Sequence, residues 1–301
     1  MYIQNSPLLS VIVANYNNDS YIKDCLESIM SQTYKNVEIV VSDDCSIDNS
    51  LEIINEYERK YPGIVKVISS SINRGVARTR HEAILQAKGE YITTLDSDDY
   101  YYDDQKLEKE MELILQYKKQ DKDILAFSNI VLVKGDKTVI RVWGNSDNLK
   151  EGKIFDDIIT RSCMIPRDFI MKSEAYLEVG GYDFRFPIYE DWDLKIRLAK
   201  KYEFYYTGVN GTAYRRHGTG LSSPPIPKHI KLLKKIFKKN FNLTNKTRKK
   251  TSINGFNNFI DAVLKKKWSN DLKKDIKQNL KKNKRMKAFI SFLKLKALFL
   301  K

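Results

Sequence analysis

Within the first hundred residues, short runs of branched apolar residues alternate with segments of helical period, and this alternation constrains the fold more than any other feature. Residues 8–14 (LLSVIVA) read as a buried strand, and a helix capped by Asp19 or Ser20 runs to about Met30 with Ile22, Leu26, Ile29 and Met30 on one face. The pattern then repeats: strand 37–41, helix 48–60 capped by Asp48, strand 65–68, helix 76–87 and strand 91–95. Such spacing predicts a parallel sheet with right-handed crossovers, in which ligands bind beyond the carboxyl ends of the strands. Three polar segments fall there: Asn15-Tyr16-Asn17, Asp43-Asp44-Cys45-Ser46 and Asp96-Ser97-Asp98-Asp99. Their convergence on one edge argues for a nucleotide site.

The second half carries less regular signals. A helix is expected over 104–118, then a hairpin of strands 124–133 and 138–143 around Lys134-Gly135-Asp136-Lys137. Gly180-Gly181-Tyr182-Asp183 reads as a turn, Tyr189–Asp193 as the start of a helix, and 203–206 and 212–215 as two short strands. The Pro-rich stretch 222–227 stands where the charge changes sign: residues 228–301 hold 24 Lys/Arg and three acids, whereas the preceding residues hold 29 basic and 35 acidic. These signals divide the chain into a body over 1–223, with a first half (1–100) that carries the nucleotide site and a less regular second half (101–223), and a basic helical region over 228–301. A hydrophobic fraction of 42% supports a true core. Cys25, Cys45 and Cys163 have no metal-ligand spacing and read as reduced thiols. The start of the chain lacks a signal-peptide pattern, and no apolar run reaches the ~18–20 residues that span a bilayer. The expectation is a cytoplasmic protein, peripheral on the inner face of the plasma membrane.

Asp96, Asp98 and Asp99 would repel one another unless a cation sits among them, and an oxygen-only set suits Mg²⁺ or Mn²⁺. The bland alternative is an acidic turn capping the next helix; its place after an apolar strand of a parallel sheet favours the metal. Asp44 can accept from a base edge, and Asn73–Arg80 brings arginines and a glycine to a helix start, where phosphate binds well. His217 lies in a glycine-containing loop and could complete a metal shell, while Arg215 or Arg216 could bind phosphate; a solvated loop is the competing reading.

The segments SVIVANYNN, SIMSQTYKNVEIVVSDDCSIDNS, NRGVARTRHEAI, GEYITTLDSDDYY and VGGYDFRFPIYEDWDLKIRLA resemble, in order, the signatures of glycosyltransferase family 2. The resemblance implies a GT-A fold: a Rossmann-like α/β domain, with a mostly parallel sheet flanked by helices, here extended by the basic helices. It also implies a nucleotide-diphosphate sugar donor, with UDP as the family's suggestion, inversion at the anomeric carbon, and a glycan or lipid-linked acceptor in surface polysaccharide synthesis. Carried over by position, Ala14 and Tyr16 line the base pocket, Asp44 meets the base edge, and Arg80 sits close to the nucleotide. Asp96 holds the ribose or supports the metal, Asp98 binds the metal, and Asp191 is the general base. Glu190 and Trp192 are candidate acceptor contacts, although Trp192 also reads as core beside the site. Cys45 departs from the family, which has glycine there.

In the basic region, Ile230, Leu233, Ile236 and Phe237 recur at helical spacing among lysines, as do Phe289, Phe292, Leu293, Leu295, Leu298, Phe299 and Leu300. Such helices are expected on an anionic membrane surface, the alternative being packing on the catalytic body or a second subunit. With no nucleic-acid module in this region, nucleic acid is not an expected partner. A catalytically idle fold serving as a basic membrane- or nucleic-acid-binding module is the rival reading, and the intact acidic cluster with Glu190-Asp191 speaks against it.

Overall fold

The computed structural model describes residues 6–144, 149–216 and 226–267. Strands β1 (Leu9–Asn15), β2 (Val37–Asp43), β3 (Val65–Ser69) and β4 (Tyr91–Asp96) alternate with helices α1 (Asp19–Met30), α2 (Ser50–Lys60) and α3 (Val76–Leu85). The strands pair in parallel, in the order β3-β2-β1-β4, and a short antiparallel strand β8 (Met171–Lys172) completes the sheet beside β4. The alternation expected from the sequence is therefore present, with boundaries moved by a residue or two. The Asp48 carboxylate accepts from the Ser50 amide at the start of α2 and from the Asp19 amide at the start of α1, both at 3.0 Å. One side chain thus serves two helix N-termini.

Side chains alternate across β1. Leu9, Val11 and Val13 face α1, α2 and α4 (Lys106–Lys118), whereas Ile12 joins the core on the α3 side. A second sheet follows the order β5-β9-β6-β7, built from β5 (Tyr100–Tyr101), β6 (Ile124–Lys134), β7 (Val139–Trp143) and β9 (Glu203–Arg216). β6 and β7 form the expected hairpin. The two short strands expected over 203–215 are one long strand, β9, parallel to β6 with register shifts around Asn129. Thr207, Gly208, Asn210 and Gly211 lie at that irregularity, so they interrupt the apolar pattern without ending the strand. An isolated bridge between Ala126 and Ile170 joins the two sheets.

The main correction concerns the basic region. Helix α8 (Ile226–Asn240) buries Ile230, Leu233, Ile236 and Phe237 in the same core as Trp192, Phe256 and Ile260, the last two from α9 (Lys249–Lys267). The apolar face expected on a membrane is spent on the catalytic body, while Lys228, Lys231, Lys235 and Lys238 are exposed. Lys239 reaches Asp193 at 2.8 Å and Asp183 at 2.7 Å, and Asn240 donates to Asp193 at 2.7 Å. Gly255 lets α9 approach α5 (Phe155–Thr160), where an added Cβ would lie 2.9 Å from the Thr160 methyl. The change of charge near residue 228 is therefore not a break in packing. The second apolar pattern, 289–300, lies outside the described residues. Among the described residues, no helix is long and apolar enough to cross a membrane.

Candidate active site

β1, β2 and β4 end side by side: Asn15 is in register with Asp43, and Ala14 with both Ser42 and Asp96. Hydrogen bonds knit the following loops. Asn15 donates to Asp43 at 2.7 Å, the Ser46 hydroxyl and amide donate to the same carboxylate at 2.6 and 2.9 Å, and Asn18 donates to Ser97 at 2.8 Å. The three polar segments therefore share one edge, as expected. Ala14 is half-buried there, while Tyr16 is 46% exposed and presents its ring to solvent.

The Asp44 carboxylate is buried, and each of its oxygens accepts a backbone amide at 2.8 Å, from Arg74 and Gly75. It therefore holds the loop before α3, and a base edge could use only its remaining lone pairs. Gly75 has φ +85°, a conformation open to glycine and costly for other residues. Cys45 has φ +65°, which accounts for the glycine usual at this position: the turn is kept at a cost of about 1 kcal/mol.

Arg80, on α3, is 2% exposed and bridges the halves of the molecule, donating to Asp96 and, at 2.5 Å, to Glu190. Burial opposes its charge, but the two carboxylates hold its pKa above the ordinary arginine value. Arg167, absent from the sequence-derived site, meets the second oxygen of Asp96 at 2.5 Å and Asp99 at 3.3 Å. Its backbone amide donates to the Tyr214 hydroxyl, which in turn donates to the buried Asp168 at 2.7 Å. A clue lay in the sequence, since Arg167-Asp168 is an isolated charge pair in the apolar run MIPRDFIM. Burial would raise the Asp96 carboxyl, but Arg167 and Arg80 hold it below the ordinary value. Asp99 is pushed well above its ordinary value by burial, against the pull of Arg167 and helped by the charges of Asp98 and Asp96.

Arg215 does not offer its guanidinium to phosphate. It is buried and donates to Asp24 (2.9 Å) and to the carbonyls of Asp98 (3.0 Å) and Gly135 (3.2 Å). Its backbone amide also donates to Asp99 at 2.8 Å, so it braces the acidic turn from behind. His217 lies outside the described residues, where Arg215 and Arg216 end β9.

Tyr189, with φ +66°, opens α7 (Glu190–Ala199), whose first turn carries Glu190, Asp191 and Asp193 at the positive end of the helix dipole. The acceptor roles expected of Glu190 and Trp192 do not fit their positions. Glu190 is 6% exposed and committed to Arg80; Trp192 is 3% exposed, donates to the Ile158 carbonyl at 2.7 Å and stacks on Phe256. Asp191 is more accessible, with 27% of its side chain exposed, and pairs with Lys195 at 2.7 Å. Burial works to neutralise it, but Lys195, then Arg167 and Arg161, hold it ionised, well below the usual carboxylate range. Asp191 lies close enough to Asp96 for the two charges to repel.

Residues 10–166, just over half of the chain, match the sequence profile of Glycosyl transferase family 2. The chain belongs to that family. It is 41% identical over 112 residues to an uncharacterized glycosyltransferase of Haemophilus influenzae, covering 37% of this chain and 44% of that protein. It is 38% identical over 110 residues to the putative teichuronic acid biosynthesis glycosyltransferase TuaG of Bacillus subtilis, covering 36% and 43%. The chain thus spans less than half the length of these relatives. The match to the Escherichia coli glucosyltransferase WfaP is broader, 29% over 217 residues, or 72% of this chain and 80% of that one. Among solved structures, residues 1–349 of S. aureus TarS with UDP-GlcNAc superpose with a TM-score of 0.65 at 20% identity, over 84% of this chain and 71% of TarS. The fold is GT-A.

A family 2 glycosyltransferase of this fold implies a divalent metal, and the residues fit one. Carboxylate oxygens of Asp96, Asp98 and Asp99 lie within 4.8 Å of one another, an all-oxygen set suited to a hard cation. Burial first, and then the charges of Asp98 and Asp96, raise the Asp99 carboxyl, and a cation at the turn would oppose both. Arg167 already meets part of that negative charge at Asp96 and Asp99; Asp98, like Asp96, is partly exposed.

Proposed function

We propose that this chain is an inverting glycosyltransferase that moves a sugar from a UDP-sugar to a hydroxyl of a glycan or lipid-linked acceptor in surface polysaccharide synthesis. One observation carries this reading: Asp191, ionised and partly exposed, lies beside the Asp96–Asp99 turn but belongs to the other half of the fold. One carboxylate group is thus available to the donor and a separate one to the acceptor. The relatives supply the substrate classes. WfaP is named for transfer from UDP-Glc to a GlcNAc-diphosphoundecaprenol, TuaG for teichuronic acid synthesis, and TarS is known with UDP and UDP-GlcNAc.

In this reading, Tyr16 packs on the uracil beside Ala14, and Asp44 keeps the Arg74-Gly75 loop open for the base. Arg80 and Arg167 hold Asp96 from both sides, which orients the turn that faces the diphosphate. Asp98, with Asp96 and Asp99 beside it, would hold Mn²⁺ or Mg²⁺, which when bound neutralises charge on the departing diphosphate. The acceptor hydroxyl attacks the anomeric carbon from the face opposite the diphosphate. The new C–O bond forms as the bond to the phosphate oxygen breaks, and Asp191 takes the hydroxyl proton. A single displacement inverts the centre. The membrane-surface role expected of the basic region rests on residues 289–300, since the α8 face is occupied.

The test is incubation of the purified protein with UDP-glucose, UDP-GlcNAc, UDP-galactose and UDP-glucuronate, with and without Mn²⁺. Slow release of UDP from one of them, faster with metal, is expected. If no nucleotide sugar binds or turns over under either condition, the reading fails.

A further inference from the structure

Lys195 is an unusual residue to find inside a protein. It is 7% exposed, and a buried lysine loses hydration that only specific partners can replace. Its partners are arranged for one purpose. The ammonium meets Asp191 Oδ2 at 2.7 Å and also donates to the Ile165 carbonyl at 2.9 Å, with the Pro166 carbonyl at 3.5 Å. Lys195 stands one helical turn after Asp191 on α7, so the pair shares a face of the helix. The carbonyls come from elsewhere: residues 165–166 immediately precede Arg167, whose guanidinium grips Asp96 and Asp99.

We infer that Lys195 is a positioning residue for the transfer reaction: anchored on the Ile165–Pro166 carbonyls, it holds Asp191 by one oxygen and leaves the other for the acceptor hydroxyl. This inference rests on Asp191 being the base. It has a physical consequence beyond orientation. A single strap, 165–167, presents its backbone to the clamp on the base and its arginine side chain to the donor carboxylates. Movement of that strap therefore shifts both halves of the site together. A lysine suits the task better than a neutral donor because the group it holds must stay ionised while half-buried. The other charged and titratable groups bearing on Asp191 are Arg161 from the end of α5, Arg167 from the strap, Asp96 from the end of β4, Glu190 from the first turn of α7, and Tyr189 and Tyr182 from the segment leading into it. None of the hydrogen bonds of these groups in the described structure goes to the Asp191 carboxylate.

The experiment compares full-length wild type with Lys195→Met, Lys195→Arg and Asp191→Asn. Carboxyl ¹³C resonances of labelled aspartate are titrated, with the Asp191 signal assigned by its loss in Asp191→Asn. Lys195→Met should raise the Asp191 titration midpoint by about one pH unit or more, while Lys195→Arg should keep it near wild type. With UDP-GlcNAc and UDP-glucose as probes, Lys195→Met should leave UDP affinity within about twofold and lower the maximal rate of UDP release about tenfold or more. The acid limb of its pH profile should move up in step with the NMR midpoint. If Lys195→Met is misfolded by circular dichroism, Lys195→Gln, which keeps a donor for the carbonyls but no charge, is titrated in its place. An unchanged Asp191 midpoint in the folded neutral variant overturns the inference, as does an unchanged rate and acid limb. Undiminished turnover by Asp191→Asn is a different result: it removes Asp191 as the base and leaves the ion pair a purely structural one.

Discussion

Arg80 and Glu190 meet at 2.5 Å across 110 residues of sequence, and the same guanidinium donates to Asp96. One buried cation thus ties the turn after β4 to the first turn of α7. Replacing it strands the Glu190 carboxylate in a water-poor interior and leaves Asp96 to Arg167 alone. Arg80→Met is therefore expected to destabilise the protein by about 3–5 kcal/mol, read as a lower midpoint in urea unfolding. A midpoint within error of wild type would show that the bridge does not persist in solution.

Asp191→Asn preserves shape and removes the base. UDP affinity measured by calorimetry should stay within about twofold, while the rate of sugar transfer or donor hydrolysis drops roughly 10²–10⁴-fold. Comparable loss of UDP binding would instead assign Asp191 to the donor side.

Metal dependence should reside in Asp98. Wild-type UDP affinity is expected to weaken when Mn²⁺ is removed with EDTA, and to recover on adding Mn²⁺ or Mg²⁺. Asp98→Ala should bind UDP weakly whether or not metal is present. A variant that still responds to Mn²⁺ like wild type would move the metal away from this turn.

The Asp183 carboxylate, through Arg185 and Lys239, links the loop before α7 to α8. The Arg185 bond, against burial and aided by Lys239, holds it well below the ordinary carboxylate value. A folded-state pKa below the unfolded one means stability that is present above about pH 4 and lost as the pH falls through the folded value. Asp183→Asn should therefore be less stable than wild type at pH 6, with the gap in urea midpoint narrowing towards pH 3. A gap independent of pH would assign the loss to packing.

Ile236 is fully buried between α8 and the catalytic core. Ile236→Ala is expected to cost about 2–5 kcal/mol, measured by urea unfolding with tryptophan emission. A chain ended at residue 225 should fold poorly, because it uncovers the core around Trp192. Wild-type stability in either case would make α8 an independent appendage.

The sequence by itself determined the α/β alternation, the three polar loops gathered at the strand ends, and Asp191 at a helix start. Each follows from signals within a few residues: apolar period, capping side chains, and the rule that parallel strands end on one edge. What only the tertiary structure decided is which charges meet. Arg167 stood out as a charge within an apolar run, but its partners Asp96 and Asp99 come from another element, as do the carbonyls that anchor Lys195. Glu190, placed with the acceptor from its neighbour's role, turns inward to Arg80, and Arg215 braces the acidic turn instead of facing phosphate. The α8 face was legible as apolar but not as covered by the catalytic core. An amphipathic period records that a face must leave water, and a charge that it needs a partner; what supplies the cover or the counter-charge depends on elements distant in the chain, which only folding brings into contact.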